Sequence, residues 1–333
     1  MLFLQKRNHS FFPFPSQLLF AFLHLIFLPV FGQGSGKMPH VAFGKLERIE
    51  NFSSAFVSSR NIDIWLPPGY NNQKKYPVVY FQDGQMLFDS SITFNRQSWF
   101  LDRVLGPEME KKNLQAMIVV GIWNSGNERY GDYFPQKPFA MLPDSMKNKI
   151  AELGGKFAHR ILKNGKPNSD AYLKFLVSEL KPLIDKKYAT RKEAEYTGIA
   201  GSSMGGLISM YALCEYPEVF GSAFCLSTHW PGIFTNVGNC IPLYFQQYMK
   251  EKLPAPGKHF LYFDRGDKTL DSLYAPHQRK ADSILIAKGY RPQQDFISLD
   301  FPGAEHSEKA WNRRVLIPFR YRFGPKNPPK NQD

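Results

Sequence analysis

Short runs of β-branched and aromatic residues recur along the chain, separated by stretches whose apolar residues fall at helical spacing. Phe52–Val57 and Asn61–Leu66 alternate apolar and polar residues around a short turn, the period-two pattern of half-buried strands. Tyr76–Phe81 and Ala116–Ile122 are near-continuous apolar runs, as expected of central strands covered on both faces. Tyr196–Ala200, Phe220–Ser227, His259–Asp264 and Asp295–Leu299 also read as strands. Between them, Trp99–Lys111, Tyr172–Lys186, Gly206–Cys214, Asp271–Lys288 and Glu308–Tyr321 carry helical patterns. Strand and helix alternate, so the expected class is α/β, with a mostly parallel central sheet and helices on both faces.

Three stretches break this rhythm. Residues 124–167 are rich in proline, glycine and lysine, with one helix expected near Asp144–Leu153. An insertion of that length reads either as a lid or substrate loop, or as a surface excursion. Gly324–Asp333 reads as a frayed tail. At the other end, Lys6 and Arg7 precede an apolar run from Leu18 to Phe31, broken by His24 and Pro29, and small residues follow. Basic start, apolar centre and small-residue exit predict a signal peptide over residues 1–33, cleaved at Gln33/Gly34. The apolar run is short against the roughly twenty residues of a membrane span, so an uncleaved anchor is the lesser reading. The expected mature protein is a single domain, residues 34–333, exported to a periplasm or the exterior, with no stable membrane insertion. No cysteine lies near the cleavage point, which disfavours a lipoprotein.

Composition adds little to the fold but narrows the partners. Hydrophobic content of 43% and aromatic content of 15% argue against disorder. The net charge of +13 falls to about +11 without Lys6 and Arg7. The basic residues are spread rather than blocked and no nucleic-acid motif is present, so solvated surface lysine is the reading. Cys214, Cys225 and Cys240 cannot all pair. Cys214 and Cys225 lie in apolar elements and are expected as buried thiols, one disulfide remaining open. No cysteine–histidine spacing suits zinc. Asn51-Phe-Ser53 matches a glycosylation sequon and carries little weight.

Gly201-Ser-Ser-Met-Gly205 carries the chemistry. It fits G-x-S-x-G with Ser203 at the centre, a strand before it and a helix after it. Strand, sharp turn and helix make a nucleophile elbow, which raises a serine hydroxyl above the sheet. A serine needs a base to take its proton and a third group to orient that base. The expected order is serine, acid, histidine. Of His229, His259, His277 and His306, only His306 sits past a strand end and after every good acid, so it is the expected base. The acid should follow the strand ending near Asp264. Asp264 itself belongs to the strand end, and Asp271 is favoured over Asp267, although Asp271 also reads as a helix N-cap. An oxyanion needs two backbone donors. Met204, after the nucleophile, supplies one, and Gln85, in the loop after Tyr76–Phe81, the other. Trp99, Trp230 and Arg129 are candidate substrate contacts; core packing for the tryptophans, and a pair with Asp132 for Arg129, are the alternatives.

With these residues in place, the chain resembles the putative esterase family of α/β-hydrolases, which includes esterase D, feruloyl and acetylxylan esterases, enterochelin esterases and mycolyltransferases. The likeness rests on Asp63–Tyr70, Tyr80–Asp89, Val119–Ile122, Asn127–Tyr133, Gly201–Gly206 and Gly303–Trp311. It implies a serine hydrolase with no metal and no organic cofactor, in which Ser203 attacks an ester, His306 shuttles the proton and Asp271 orients His306. The acid is the departure: many relatives place it three residues after a strand-end glycine, whereas Asp267 and Asp271 lie one and five residues after Gly266. The expected function is an exported ester hydrolase acting on an acylated carbohydrate or similar small ester. A siderophore esterase and an acyltransferase using the same triad are the alternatives. A non-catalytic binding protein is disfavoured by the intact triad residues.

Overall fold

A computed structural model describes residues 37–154 and 166–325. The expected signal peptide lies outside the described residues, as do positions 155–165 of the insertion and 326–333 of the tail.

Eight strands form one sheet: β1 Lys45–Phe52, β2 Arg60–Leu66, β3 Val78–Gln82, β4 Ile118–Ile122, β5 Thr197–Ser202, β6 Ser222–Leu226, β7 Phe260–Arg265 and β8 Phe296–Asp300. Their order is β1-β2-β4-β3-β5-β6-β7-β8. β1 and β2 run antiparallel to their neighbours, and β4 through β8 are parallel. This is the α/β-hydrolase arrangement. In β3 the pleat sends Val78 and Tyr80 into one core, and Val79 and Phe81 into the other. Both faces are therefore buried, which is why the central strands read as unbroken apolar runs.

The first strand corrects the expectation. Phe52–Val57 is not a strand; the chain pairs with β2 over Lys45–Phe52 instead. Those residues, KLERIENF, are largely polar because β1 is the sheet edge, where charge is tolerated and discourages further pairing. A register shift between Ile49 and Phe52, with Asn51 at φ 48°, ends the strand.

Eleven described helices pack on the sheet: α1 Leu101–Glu110, α2 Arg129–Tyr133, α3 Gln136–Met141, α4 Asp144–Gly154, α5 Ser169–Phe175, α6 Lys181–Lys187, α7 Met204–Glu215, α8 Ile241–Lys252, α9 Ala275–Ala287, α10 Glu308–Asn312 and α11 Leu316–Phe323. A π-helical stretch, Leu176–Leu180, joins α5 to α6. The expected last helix is thus two, α10 and α11. Residues 124–154 are not a surface excursion. Their prolines sit at helix starts, with Pro135 before α3 and Pro143 before α4. Their apolar residues, Tyr133, Phe134, Phe139, Leu142, Met146 and Ile150, join the core. Asp271 is not a helix N-cap: it lies in a 3-10 turn, Thr269–Leu273, before α9. All three cysteines are free thiols, so no disulfide forms among them. Among the described residues, no helix is long and apolar enough to cross a membrane.

Candidate active site

The parallel strands deliver their C-terminal ends to one edge of the sheet, and the candidate residues follow those ends. Ser203 sits between β5 and α7 at φ 58° and ψ −122°, a strained conformation for a residue with a side chain. The glycines beside it permit the turn: a Cβ on Gly201 would lie 2.7 Å from the carbonyl carbon of Gly205. The turn is pinned by its neighbours, with the Ser203 amide donating to Leu226 O at 3.0 Å and its carbonyl accepting from His229 N at 3.1 Å.

Met204 is the first residue of α7. Amides of a first helical turn have no acceptor within the helix and carry the positive end of its dipole. Gln85 lies in the 3-10 turn Gly84–Met86 after β3. That turn is pressed onto β4, since a Cβ on Gly84 would lie 2.4 Å from the carbonyl carbon of Gly121. Asp83, left-handed at φ 56°, opens it. Asp83 is clamped by Arg129, with Nε to Oδ1 and Nη2 to Oδ2 both at 2.7 Å, and by Asn124 Nδ2 at 2.7 Å. Asn124 N in turn donates to Gln85 Oε1 at 3.2 Å. Arg129 therefore holds the turn that carries Gln85. Its partner is not Asp132, which pairs with Arg60.

His306 follows β8, and its Nδ1 lies 2.5 Å from Asp271 Oδ1. The His306 amide donates to Thr269 Oγ1 at 2.8 Å, tying its loop to the turn that carries Asp271. The ring meets the Trp311 and Tyr274 rings edge-on, at 4.9 Å and 5.8 Å. Asp271 is fully buried. Its Oδ2 accepts from Gly266 N and Ser227 Oγ, each at 2.6 Å. Burial opposes ionisation of Asp271, but hydrogen bonds from His306, Ser227 and Gly266 outweigh it and hold the carboxyl below its ordinary value. Asp267, the rival acid, is half-buried beside Lys268, accepts from Gly303 N at 2.8 Å and does not meet His306. Gly266 explains the odd spacing of the acid. A Cβ there would lie 2.1 Å from Ala304 O, so the acid and histidine loops touch backbone to backbone.

Beneath Asp271 lies a group that sequence reasoning missed. Ser227 Oγ also accepts from Arg314 Nη2 at 2.7 Å and Trp311 Nε1 at 3.0 Å. Arg314 pairs with Asp264 at 3.0 Å, and burial pushes that carboxyl up to about 6. His229 and Tyr274 were missed as site residues too. Both are buried, with His229 Nδ1 2.8 Å from the Tyr274 hydroxyl. Burial first, then the neighbouring His306 and Arg129, push His229 down to about 3. No local pattern marks these side chains, because they converge from separate loops.

The two tryptophans are corrections. Trp99 is buried, stacked at 5.4 Å on Trp311 and edge-on to Phe81 at 5.0 Å. Trp230 is buried with Nε1 donating to Gln278 Oε1 at 2.9 Å. Neither offers a face to a ligand. Partly exposed aromatics near the site are instead Tyr130 and Phe234, whose rings meet at 6.3 Å, with Phe234 5.6 Å from the His229 ring. Among the described residues, no group of three or more His, Cys, Asp or Glu side chains is placed to hold a metal. None of their hydrogen bonds joins Ser203 Oγ directly to His306 Nε2, whose ring is held through Nδ1 by Asp271. Such a bond is often long before substrate binds.

The family model described as putative esterase matches residues 53–315. The uncharacterized protein YbbA of Bacillus subtilis is 24% identical over 274 residues, covering 80% of this chain and 94% of that protein. The endo-1,4-beta-xylanase/feruloyl esterase of Xylanibacter ruminicola is 24% identical over 81% of this chain, which spans only 30% of that longer protein. Among solved structures, a CE1 ferulic acid esterase from Anaeromyces mucronatus, in complex with ferulic acid, superposes with a TM-score of 0.59 at 19% identity, covering 86% of this chain and 93% of the other.

Proposed function

The chain belongs to the putative esterase family of α/β-hydrolases, and on that premise we propose that it is an exported serine carboxylic ester hydrolase of acylated carbohydrates or similar small esters. The observation that carries the reading is the 2.5 Å contact of His306 with Asp271, at the sheet edge where the strained elbow presents Ser203. Ser203 Oγ attacks the acyl carbon as its proton passes to His306 Nε2. Ionised Asp271 holds the Nδ1–H tautomer and stabilises the imidazolium. The carbonyl π pair moves to oxygen, which the Met204 and Gln85 amides receive. Collapse expels the alcohol with the proton from His306, and water then cleaves the acyl-enzyme by the same steps.

The xylanase/feruloyl esterase and the ferulic acid esterase support an acyl group on a carbohydrate. Tyr130 and Phe234 give an aryl acyl group or a sugar ring something to stack on. Export rests on the basic and apolar pattern of residues 1–33.

The test compares p-nitrophenyl acetate hydrolysis by residues 34–333 with that of Ser203→Ala, followed by acetylated and feruloylated sugars. Turnover that vanishes in the variant is expected. Equal turnover by both would overturn the serine assignment. Acyl transfer to an added alcohol in preference to water would replace hydrolysis by transfer.

A further inference from the structure

In the proposed reaction the acyl C–O bond breaks with its electron pair going to the alcohol oxygen, which takes the proton from His306 Nε2. The leaving alcohol must therefore lie beside His306. The segment from Asp89 to Ser98 borders that side. It continues from the turn that carries Gln85 and stays tied to it, with Trp99 N donating to Met86 O and Leu101 N to Leu87 O, both at 3.0 Å. It then meets α10, which starts two residues past His306. Asn95 Nδ2 donates to Glu308 Oε2 at 2.9 Å, the Lys309 amide to Gln97 Oε1 at 3.2 Å, and Asn312 Nδ2 to Trp99 O at 2.6 Å. Trp99 stacks on Trp311, whose ring meets that of His306. The segment is thus fixed both to the candidate oxyanion turn and to the helix that follows the candidate base.

We propose that this segment and Glu308 form the subsite for the alcohol half of the ester, and that its occupant is a sugar: Phe94 packs on the face of the sugar ring, and Asn95 and Glu308 hold neighbouring hydroxyls. The proposal rests on the serine esterase reading above. Phe94 is 75% exposed. A lone exposed phenylalanine is common and by itself carries no meaning. Phe94 differs in how it is held. Thr93 beside it is buried, with Oγ1 donating to Ser90 O at 3.1 Å. Arg96, left-handed at φ 57°, turns the chain back and donates from Nη1 to Ser91 O. Ser98 Oγ donates to Met86 O at 3.0 Å. A ring carried on backbone already pinned on both sides loses little freedom when a ligand packs against it.

The choice of a sugar follows from the chemistry of the three side chains. A sugar ring has a face of C–H groups and an edge of hydroxyls that both donate and accept. An exposed aromatic ring covers the face. A carboxylate accepts and a side-chain amide donates, so Glu308 and Asn95, set side by side, match two neighbouring hydroxyls. Both residues are half-buried, so they are partly desolvated yet still open to a ligand. A plain alkyl alcohol would cover the ring but leave the polar pair without new partners.

The test uses the purified protein and two acetyl esters, a monoacetylated methyl β-xylopyranoside and p-nitrophenyl acetate, which share the acyl group and differ in the alcohol. The quantity read is the ratio of kcat/KM for the sugar ester to that for p-nitrophenyl acetate. Phe94→Ala and Glu308→Gln should each lower this ratio about tenfold, the first by loss of stacking and the second by loss of a charged hydrogen bond. Phe94 is exposed to solvent and glutamine keeps the shape of Glu308, so both variants should fold. A ratio that stays at the wild-type value in either variant overturns the proposal, because equal losses on the two esters would mean that the residue only holds the His306 loop. So does a wild type that hydrolyses p-nitrophenyl acetate through Ser203 but leaves the sugar ester intact. Equal turnover of p-nitrophenyl acetate by the wild type and Ser203→Ala would instead refute the nucleophile, and with it the esterase reading.

Discussion

Ser227 Oγ lies 2.6 Å from Asp271 Oδ2 and joins the end of β6 to the candidate acid. Ser227 sits at φ 43°, fully buried, and its hydroxyl also receives Trp311 and Arg314. One hydroxyl thus satisfies three side chains from two other segments. Ser227→Ala would leave all three without that partner, at a cost of about 1–3 kcal/mol each for buried groups not otherwise satisfied. We expect lower stability in urea and an esterase kcat about tenfold lower, from loss of aim at His306. Ser227→Gly, which relieves the left-handed backbone, should recover stability but not kcat. Recovery of both would show that backbone strain alone matters.

Asp271→Asn should cost about 10³–10⁴ in kcat, because a neutral amide no longer holds the Nδ1–H tautomer of His306. Asp267→Asn should leave activity within about twofold, since an amide oxygen can still accept from Gly303 N and the residue does not meet His306. Steady-state hydrolysis of p-nitrophenyl acetate by the two variants decides between the acids, and the reverse ranking would overturn the assignment of Asp271.

Gly266→Ala places a methyl group 2.1 Å from Ala304 O, with Asp271 Oδ2 at 3.0 Å. The loops carrying His306 and Asp271 must part. A loss of about 1–3 kcal/mol is expected for forcing a group into a packed site. Activity should fall further than stability does. Thermal melts and kinetics on one sample test this, and an unchanged kcat would refute the close approach.

Arg129→Met removes the bidentate clamp on Asp83 and frees the turn that carries Gln85. A fall in kcat of about ten- to a hundredfold is expected, with KM little changed, if oxyanion stabilisation is what the clamp supports. A rise in KM for anionic esters alone would show that Arg129 meets substrate instead.

His229 makes a pH-dependent contribution to stability. Its folded value, about 3, lies below the ordinary histidine range, so between about pH 6.5 and 3 the unfolded chain binds the extra proton. Stability from this group is present above that window and is lost as pH falls through it. Asp264, raised to about 6, has the opposite sign: the folded state holds the proton, and stability falls as pH rises from about 4 to 6. Urea titrations from pH 4 to 7 should therefore give His229→Asn a shallower loss on acidification than the wild type. Parallel curves would exclude a buried neutral His229.

Much of this architecture was legible from local pattern. Buried parallel strands need apolar residues on both faces, so β3, β4, β5 and β6 stood out as runs. Ser203 was legible because its strained turn demands glycines close by in sequence. Edge strand β1 was not, since an edge tolerates charge and loses the apolar signature. The segment 124–154 read as irregular because proline marks helix starts as readily as loops.

What the sequence by itself determined is the class of fold and the positions of the candidates Ser203 and His306, each tied to a strand end by short-range constraints. What only the tertiary structure decided is everything that depends on loops meeting in space. Trp99 and Trp230 turned out to be core because burial is set by what packs over a residue. Asp271 rather than Asp267 meets His306, where Gly266 lets the two loops touch. Ser227 and His229 after β6, Tyr274 before α9 and Arg314 between α10 and α11 lie on three segments whose convergence no spacing along the chain encodes. Side-chain chemistry is local to a residue, but its partners, its dielectric surroundings and hence its reactivity are set by folding.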